Sequence, residues 1–413
     1  MTASSPNSSS MPHRARVGPR PLALHLMAAA TSYTSSNAAL PLLKNGLMQW
    51  SPALADAANP LQKNLESANP DALAAAVEAA ARQRLGAFLD GVERYRNHPY
   101  RRRVETPPTV WSSGTTRLYD YGVGKGGVPV LLVPSLVNRA YILDLYEDRS
   151  FARWMADRGL WPFLLDWDAP GDAERQFGLT DYILRLELAL GAVADLTAAR
   201  PAVLGYCMGG LLALALAQRD PTAIAGLVLL ATPWDFQADR PAQAAGVAGI
   251  GAAAEGIMTA LGELPVDILQ MLFAGLDPVL GERKFCAFAT LDPDSDKARD
   301  FVVLEDWVND GIPLAAPVAR ECLGGWYGAN APAAGAWRVD DAVVDPAAVT
   351  CPVLAVIPAE DRIVPAASAL ALSDALPDVR TMRIDAGHIG MMVSHDIDRQ
   401  LWPEISDWLA RLS

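Results

Sequence analysis

The sequence predicts an α/β fold: a doubly wound, mostly parallel sheet with an inserted helical cap and an N-terminal helical extension. Three observations predict it. Short apolar runs recur along the chain; helix-length segments separate most of them; and the alternation is interrupted once, by roughly a hundred residues. The runs are "VPVLLVPS" (128–135), "WPFLLDW" (161–167), "AVLGY" (202–206), "GLVLLAT" (226–232), "PVLAVIP" (352–358) and "VRTMRI" (379–384). Most are apolar at consecutive positions, which is how strands read when both faces are covered by helices. Between them, "DLYEDRSFARWMADRG" and "DYILRLELALGAVADLTAA" have the length and periodicity of crossover helices.

Taken in order, residues 1–20 are rich in Ser, Pro and Arg without apolar periodicity and are expected to form a disordered tail. Residues 21–105 read as the helical extension; in its last helix Asn69 or Asp71 supplies a cap and Pro99 a stop. Residues 106–235 hold the first part of the sheet core and 346–413 the second. The 236–345 interval between them exceeds any ordinary connection and reads as a cap placed over the sheet edge as a lid. Two apolar stretches invite a membrane reading. "PLALHLMAAA" (21–30) follows His13, Arg14, Arg16 and Arg20 but is short and interrupted by His25. The stretch 242–276 is broken by Glu255, Glu263, Pro265 and Asp267 and reads as a lid or partner surface, so no transmembrane segment is expected.

Composition narrows the partners. The 413 residues carry 34 Lys+Arg against 47 Asp+Glu, a formal charge of −13, which opposes nucleic-acid binding. Cys207, Cys286, Cys322 and Cys351 are scattered, without zinc-site spacing or a disulfide framework, as in a reducing compartment. Arg101, Arg102 and Arg103 form the obvious basic cluster and read as a solvated face rather than a phosphate anchor.

The chemistry centres on "GYCMGG". Gly205-Tyr206-Cys207-Met208-Gly209 lies between a strand and a helix, a turn that holds one nucleophile strained and exposed at the carboxyl edge of a sheet. The helix N-terminus there favours thiolate over thiol. The Met208 N–H is one candidate oxyanion donor; the second is expected from "VPSLVN", at Leu136 or Val137, with Val137 preferred. A glycine-rich turn around a buried structural cysteine is the competing reading. Two partners follow in chain order. "PVLAVIPAEDRIVP" runs a strand into a loop bearing Asp361, and "VRTMRIDAGHIGMM" runs another into the Gly387-His388-Ile389-Gly390 loop. Asp235 in "ATPWDF" is the reserve acid. A cysteine exchanges one thioester for another at nearly balanced free energy, which favours acyl transfer from a thioester over ester hydrolysis.

At this point the sequence resembles the polyhydroxyalkanoate synthases, cysteine-nucleophile enzymes of the α/β-hydrolase fold, over roughly residues 100–398. "VPSLVNRAYILDL", "FLLDWDAPG" with "FGLTDYI", "GYCMGG", "AEDRIVP" and "GHIGMM" carry the resemblance, and "LEDWVNDGIPLAAPVARECLGGWYGAN" is similar to the shorter synthases that work with a second subunit. Ser135 stands where many members have proline, and the Ala/Gly-rich run at 240–262 is unlike the usual cap. The resemblance implies a polymerase of 3-hydroxyacyl-CoA. Cys207 would carry the acyl chain, His388 would activate the thiol and then the incoming hydroxyl, and Asp361 would orient the imidazole. It implies no metal or redox cofactor, a second subunit or second copy as partner, and a cytoplasmic location at the surface of polyester granules. A depolymerase or thioesterase with the same residues, or a non-catalytic granule-associated protein, are the alternatives.

Overall fold

The computed structural model describes residues 16–48, 55–122 and 126–412, which divide into two compact units. One comprises Arg102–Leu276 with Asp310–Ser413 and the other Met1–Arg101 with Asp277–Asn309.

The larger unit holds the sheet. Its first strands are β1 (Thr109–Ser113), β2 (Thr116–Asp120), β3 (Val128–Val133), β4 (Leu160–Asp166), β5 (Ala202–Tyr206) and β6 (Leu227–Leu230). Four two-residue strands follow: β7 (Glu263–Leu264), β8 (Leu314–Ala315), β9 (Arg338–Val339) and β10 (Ala342–Val343). β11 (Val353–Pro358) and β12 (Val379–Ile384) complete the set. Among the described residues the main sheet has eight strands in the order β1-β2-β4-β3-β5-β6-β11-β12. From β4 to β12 every pairing is parallel, and all six predicted runs lie in it. In the five from β3 to β11 the consecutive apolar residues are buried on both faces, with Val130 to Val133 and Leu227, Val228 and Leu230 fully inaccessible, whereas the edge strand β12 is half-exposed. Helix 179–197 covers the sheet with Tyr182, Ile183, Leu186, Ala189, Leu190 and Val193, spaced at three and four. β1 and β2 form an antiparallel hairpin that the apolar pattern did not reveal: "TVWSS" and "TRLYD" mix polar and apolar residues. The turn is made by Gly114 at φ 56.

Residues 236–276 and 310–345 pack against this sheet. Leu264, Leu269, Leu314, Val318, Leu323, Trp326 and Trp337 join the same apolar cluster as the strands. Helices 241–253 and 255–261 meet at 48°. Among the described residues no single helix is long and apolar enough to cross a membrane, although this bent pair passes on length and composition together.

The insertion expected at 236–345 is therefore divided, because Asp277–Asn309 belongs to the other unit. There helices 280–289 and 296–309 pack on helix 70–97, joining Phe285, Phe288 and Val302 to Phe88, Val92 and Tyr95. The contact needs a glycine: a Cβ at Gly91 would lie 2.1 Å from the Phe285 carbonyl oxygen. Asn69 caps helix 70–97, accepting from the Asp71 and Ala72 amides, and the helix ends before Pro99. Of the expected 1–20 tail, residues 1–15 lie outside the described residues. Arg16 is buried, paired with Asp306 at 2.6 Å and donating to the His98 carbonyl.

Candidate active site

Parallel strands bring their C-terminal ends to one edge, and the loops after β3, β5, β11 and β12 carry Leu136, Cys207, Asp361 and His388 there. Cys207 has φ 56 and ψ −124, a conformation that costs an L-residue about 1–3 kcal/mol and survives where the surroundings impose it. Its N–H donates to the Leu230 carbonyl at 2.8 Å and its carbonyl accepts from Gly210 N–H at 2.9 Å. The glycines explain themselves by approach. A Cβ at Gly205 would lie 2.4 Å from the Gly210 Cα, one at Gly209 2.2 Å from the Val133 carbonyl oxygen, and one at Gly210 1.9 Å from Thr232 Oγ1. Helix 208–219 can thus press against β5 and the loop after β3, setting the half-buried thiol at its N-terminus.

The expected acid and histidine are together. His388 Nδ1 lies 2.6 Å from Asp361 Oδ2, and Asp361 Oδ1 accepts from the Ile363 and Val364 amides at 2.8 Å each. Both side chains are buried. A carboxylate saturated this way holds the proton on Nδ1 and leaves Nε2 for the thiol. Burial alone would lower the His388 pKa, but the negative charge on Cys207 and hydrogen bonds with Asp361 and Cys207 outweigh it and push it up to about 10. The reserve acid lies elsewhere. Asp235 Oδ1 accepts from Asn330 Nδ2 at 2.8 Å and from the Gln237 amide at 2.9 Å, tying the start of the cap to its far end.

The preferred second amide, Val137, already has a partner. Val137 N–H donates to Ser135 Oγ at 3.1 Å, because a serine hydroxyl readily bonds the amide two residues on. The neighbouring Leu136 N–H, in a residue 3% exposed, has no partner among the described residues. Gly209 packs against Val133 and Pro134, which brings the start of the loop carrying Leu136 beside the elbow. Leu136 was the alternative in the sequence.

The cap supplies an aromatic wall that sequence reasoning missed. Phe236 stacks on Trp326 at 5.5 Å and meets Tyr327 edge-on at 4.9 Å. Burial first, then the electrostatic influence of Cys207, raises the Tyr327 phenol. The basic cluster is less solvated than expected: Arg102 donates to the Leu145 and Asp144 carbonyls at 2.9 and 2.6 Å.

Comparison with known proteins places this geometry. The alpha/beta hydrolase fold family matches residues 129–394. A "Poly(3-hydroxyalkanoate) polymerase subunit PhaC" of Synechocystis sp. is 34% identical over 296 residues, 68% of this chain and 78% of the relative. Relatives with the same name are 29% identical in Allochromatium vinosum, over 74% of this chain and 88% of that one, and 29% identical in Haloarcula marismortui, over 70% and 62%. With that fold matched across the sheet and its cap, and that identity over most of the first relative, this chain belongs to the α/β hydrolase fold family and, within it, to the family of the PhaC polymerase subunits.

Proposed function

We propose that the chain polymerises 3-hydroxyacyl-CoA into poly(3-hydroxyalkanoate) through an acyl thioester on Cys207. The observation that carries this reading is the buried His388–Asp361 pair at the sheet edge where Cys207 sits in a nucleophile elbow. Cys207 Sγ, as thiolate, attacks the thioester carbonyl carbon; the C–S bond to CoA breaks, and CoA leaves as a thiol with the proton held by His388. The oxyanion formed on the way accepts from the Met208 and Leu136 amides. In the second half the 3-hydroxyl gives its proton to His388, its oxygen attacks the acyl carbon, and Cys207 leaves as thiolate. Asp361 keeps Nδ1 protonated throughout. The sequence is acyl exchange without net oxidation, so it calls for no metal or redox cofactor.

The half-buried position of Cys207, packed against the apolar cluster that Phe236 and Tyr327 also join, supports transfer over hydrolysis, since water competes with the hydroxyl for the acyl carbon. The subunit naming of the relatives supports action with a second subunit, and the polyester product supports a place at the granule surface. Incubation with 3-hydroxybutyryl-CoA, following CoA and polymer together, tests the reading. CoA release with polymer is expected. Release with free 3-hydroxybutyrate would make the chain a thioesterase, and no release would leave the non-catalytic alternative.

A further inference from the structure

The two reacting groups come from strands that do not touch. β6 and β11 separate β5 from β12, three inter-strand steps or about 14 Å. The His388 loop also leaves an edge strand with Arg380, Thr381 and Arg383 exposed, so its backbone lacks the two-sided burial of β5 before Cys207. Two of its ties run to the β11 loop: Glu360 N–H to the Ala386 carbonyl at 3.1 Å, and Asp361 to His388 Nδ1. Neither sets the distance between imidazole and thiol.

Tyr206 does. It is the residue before the nucleophile, 3% exposed at the end of β5. Its hydroxyl donates to the His388 carbonyl oxygen at 3.1 Å, and its ring lies 5.2 Å from the imidazole at a tilt of 32°. A buried phenol must find an acceptor or forfeit its hydration, and this one takes the backbone of the base itself. One side chain therefore grips His388 twice while its own backbone is bonded directly to Cys207.

We propose that Tyr206 is a positioning residue that clamps His388 onto Cys207, acting through the histidine and touching neither acyl group nor CoA. This rests on the reading of Cys207 and His388 above. The clamp matters because His388 serves two acceptors, the thiol and then the incoming hydroxyl, and must return to one place between them.

Tyr206→Phe removes the hydroxyl and keeps the ring; Tyr206→Leu removes both. Two readouts apply: alkylation of Cys207 by iodoacetamide across pH without substrate, and steady-state CoA release from 3-hydroxybutyryl-CoA. For Tyr206→Phe the alkylation rate at acidic pH should fall about 3- to 10-fold as the thiolate loses its held imidazolium, the loss one hydrogen bond accounts for. kcat should fall by a similar factor with KM within about twofold. Tyr206→Leu should lose more in both. A wild-type alkylation profile and kcat in the Phe variant overturn the clamp, as does a Leu variant no worse than Phe. A melting curve that falls while alkylation and kcat hold also overturns it, since Tyr206 is then only packing. Cys207→Ala separates the two layers: if it still releases CoA, the parent reading has failed; if it is dead while Tyr206→Phe is normal, only the clamp has.

Discussion

The two halves of the site are held by different means. Cys207 is fixed by close packing: Gly205 and Gly209 bring backbone against backbone and Gly210 admits the Thr232 side chain, all at distances that leave no room for a Cβ. His388 hangs from the half-exposed edge strand β12 and is fixed by side chains, Asp361 at its Nδ1 and Tyr206 beside its ring and at its carbonyl. Close packing gives the nucleophile a rigid, strained geometry. Side-chain tethers leave the base able to act on one partner and then another, at the expense of depending on single hydrogen bonds.

The difference can be broken from either side. His388→Gln should abolish CoA release, whereas Asp361→Asn should cost about 10- to 100-fold, since a thiol at a helix N-terminus depends less on the orienting acid. Equal losses would mean that Asp361 does more than orient. On the packed side, Gly209→Ala forces helix 208–219 away from the Val133 carbonyl and separates the Met208 and Leu136 amides. Single-turnover CoA release should fall about 100-fold with a lowered melting temperature.

Smaller effects sharpen the comparison. Ser135→Ala releases the Val137 amide from its hydroxyl partner and loosens the loop that presents Leu136. It should lower kcat about 3- to 10-fold at nearly constant KM. An unchanged kcat would return the second donor to Val137. Cys207→Gly should leave an inactive protein more stable than Cys207→Ala by about 1 kcal/mol in chemical denaturation, because glycine accepts φ 56 without strain. Stability also reads the coupling of the halves. His388 is raised from 6.5 to about 10 and so binds its proton more tightly folded than unfolded. That contribution is complete below pH 6.5, declines above it and is gone once pH has risen through about 10. Cys207→Ala removes the charge that raises the imidazole, so its stability should decline less across that window.

What the sequence disclosed follows the same division. The parallel strands were legible because their consecutive apolar residues can be buried only between two helical layers, and the elbow because close approach leaves a fixed glycine spacing. Asp361 and His388 were legible as chain order and loop context. Tyr206 was inside the quoted motif, yet its role was invisible: a tether across two intervening strands has no periodicity. The same holds for the Phe236, Trp326 and Tyr327 wall, assembled from residues ninety apart, and for the hairpin of β1 and β2, whose mixed polarity resembles a loop. The division of the 236–345 interval was hidden because aromatic residues at 285, 288 and 301 say that a helix face is buried without saying against what.

The most direct test of the account is to trap the acyl-enzyme. Rapid quench after mixing with 3-hydroxybutyryl-CoA at substoichiometric ratio, followed by peptide mass spectrometry, locates the acyl group. The account predicts a thioester on the peptide carrying Cys207, labile to hydroxylamine, accumulating in Asp361→Asn and absent in Cys207→Ala and His388→Gln. An acyl group on another residue, or CoA release from Cys207→Ala at the wild-type rate, would contradict it.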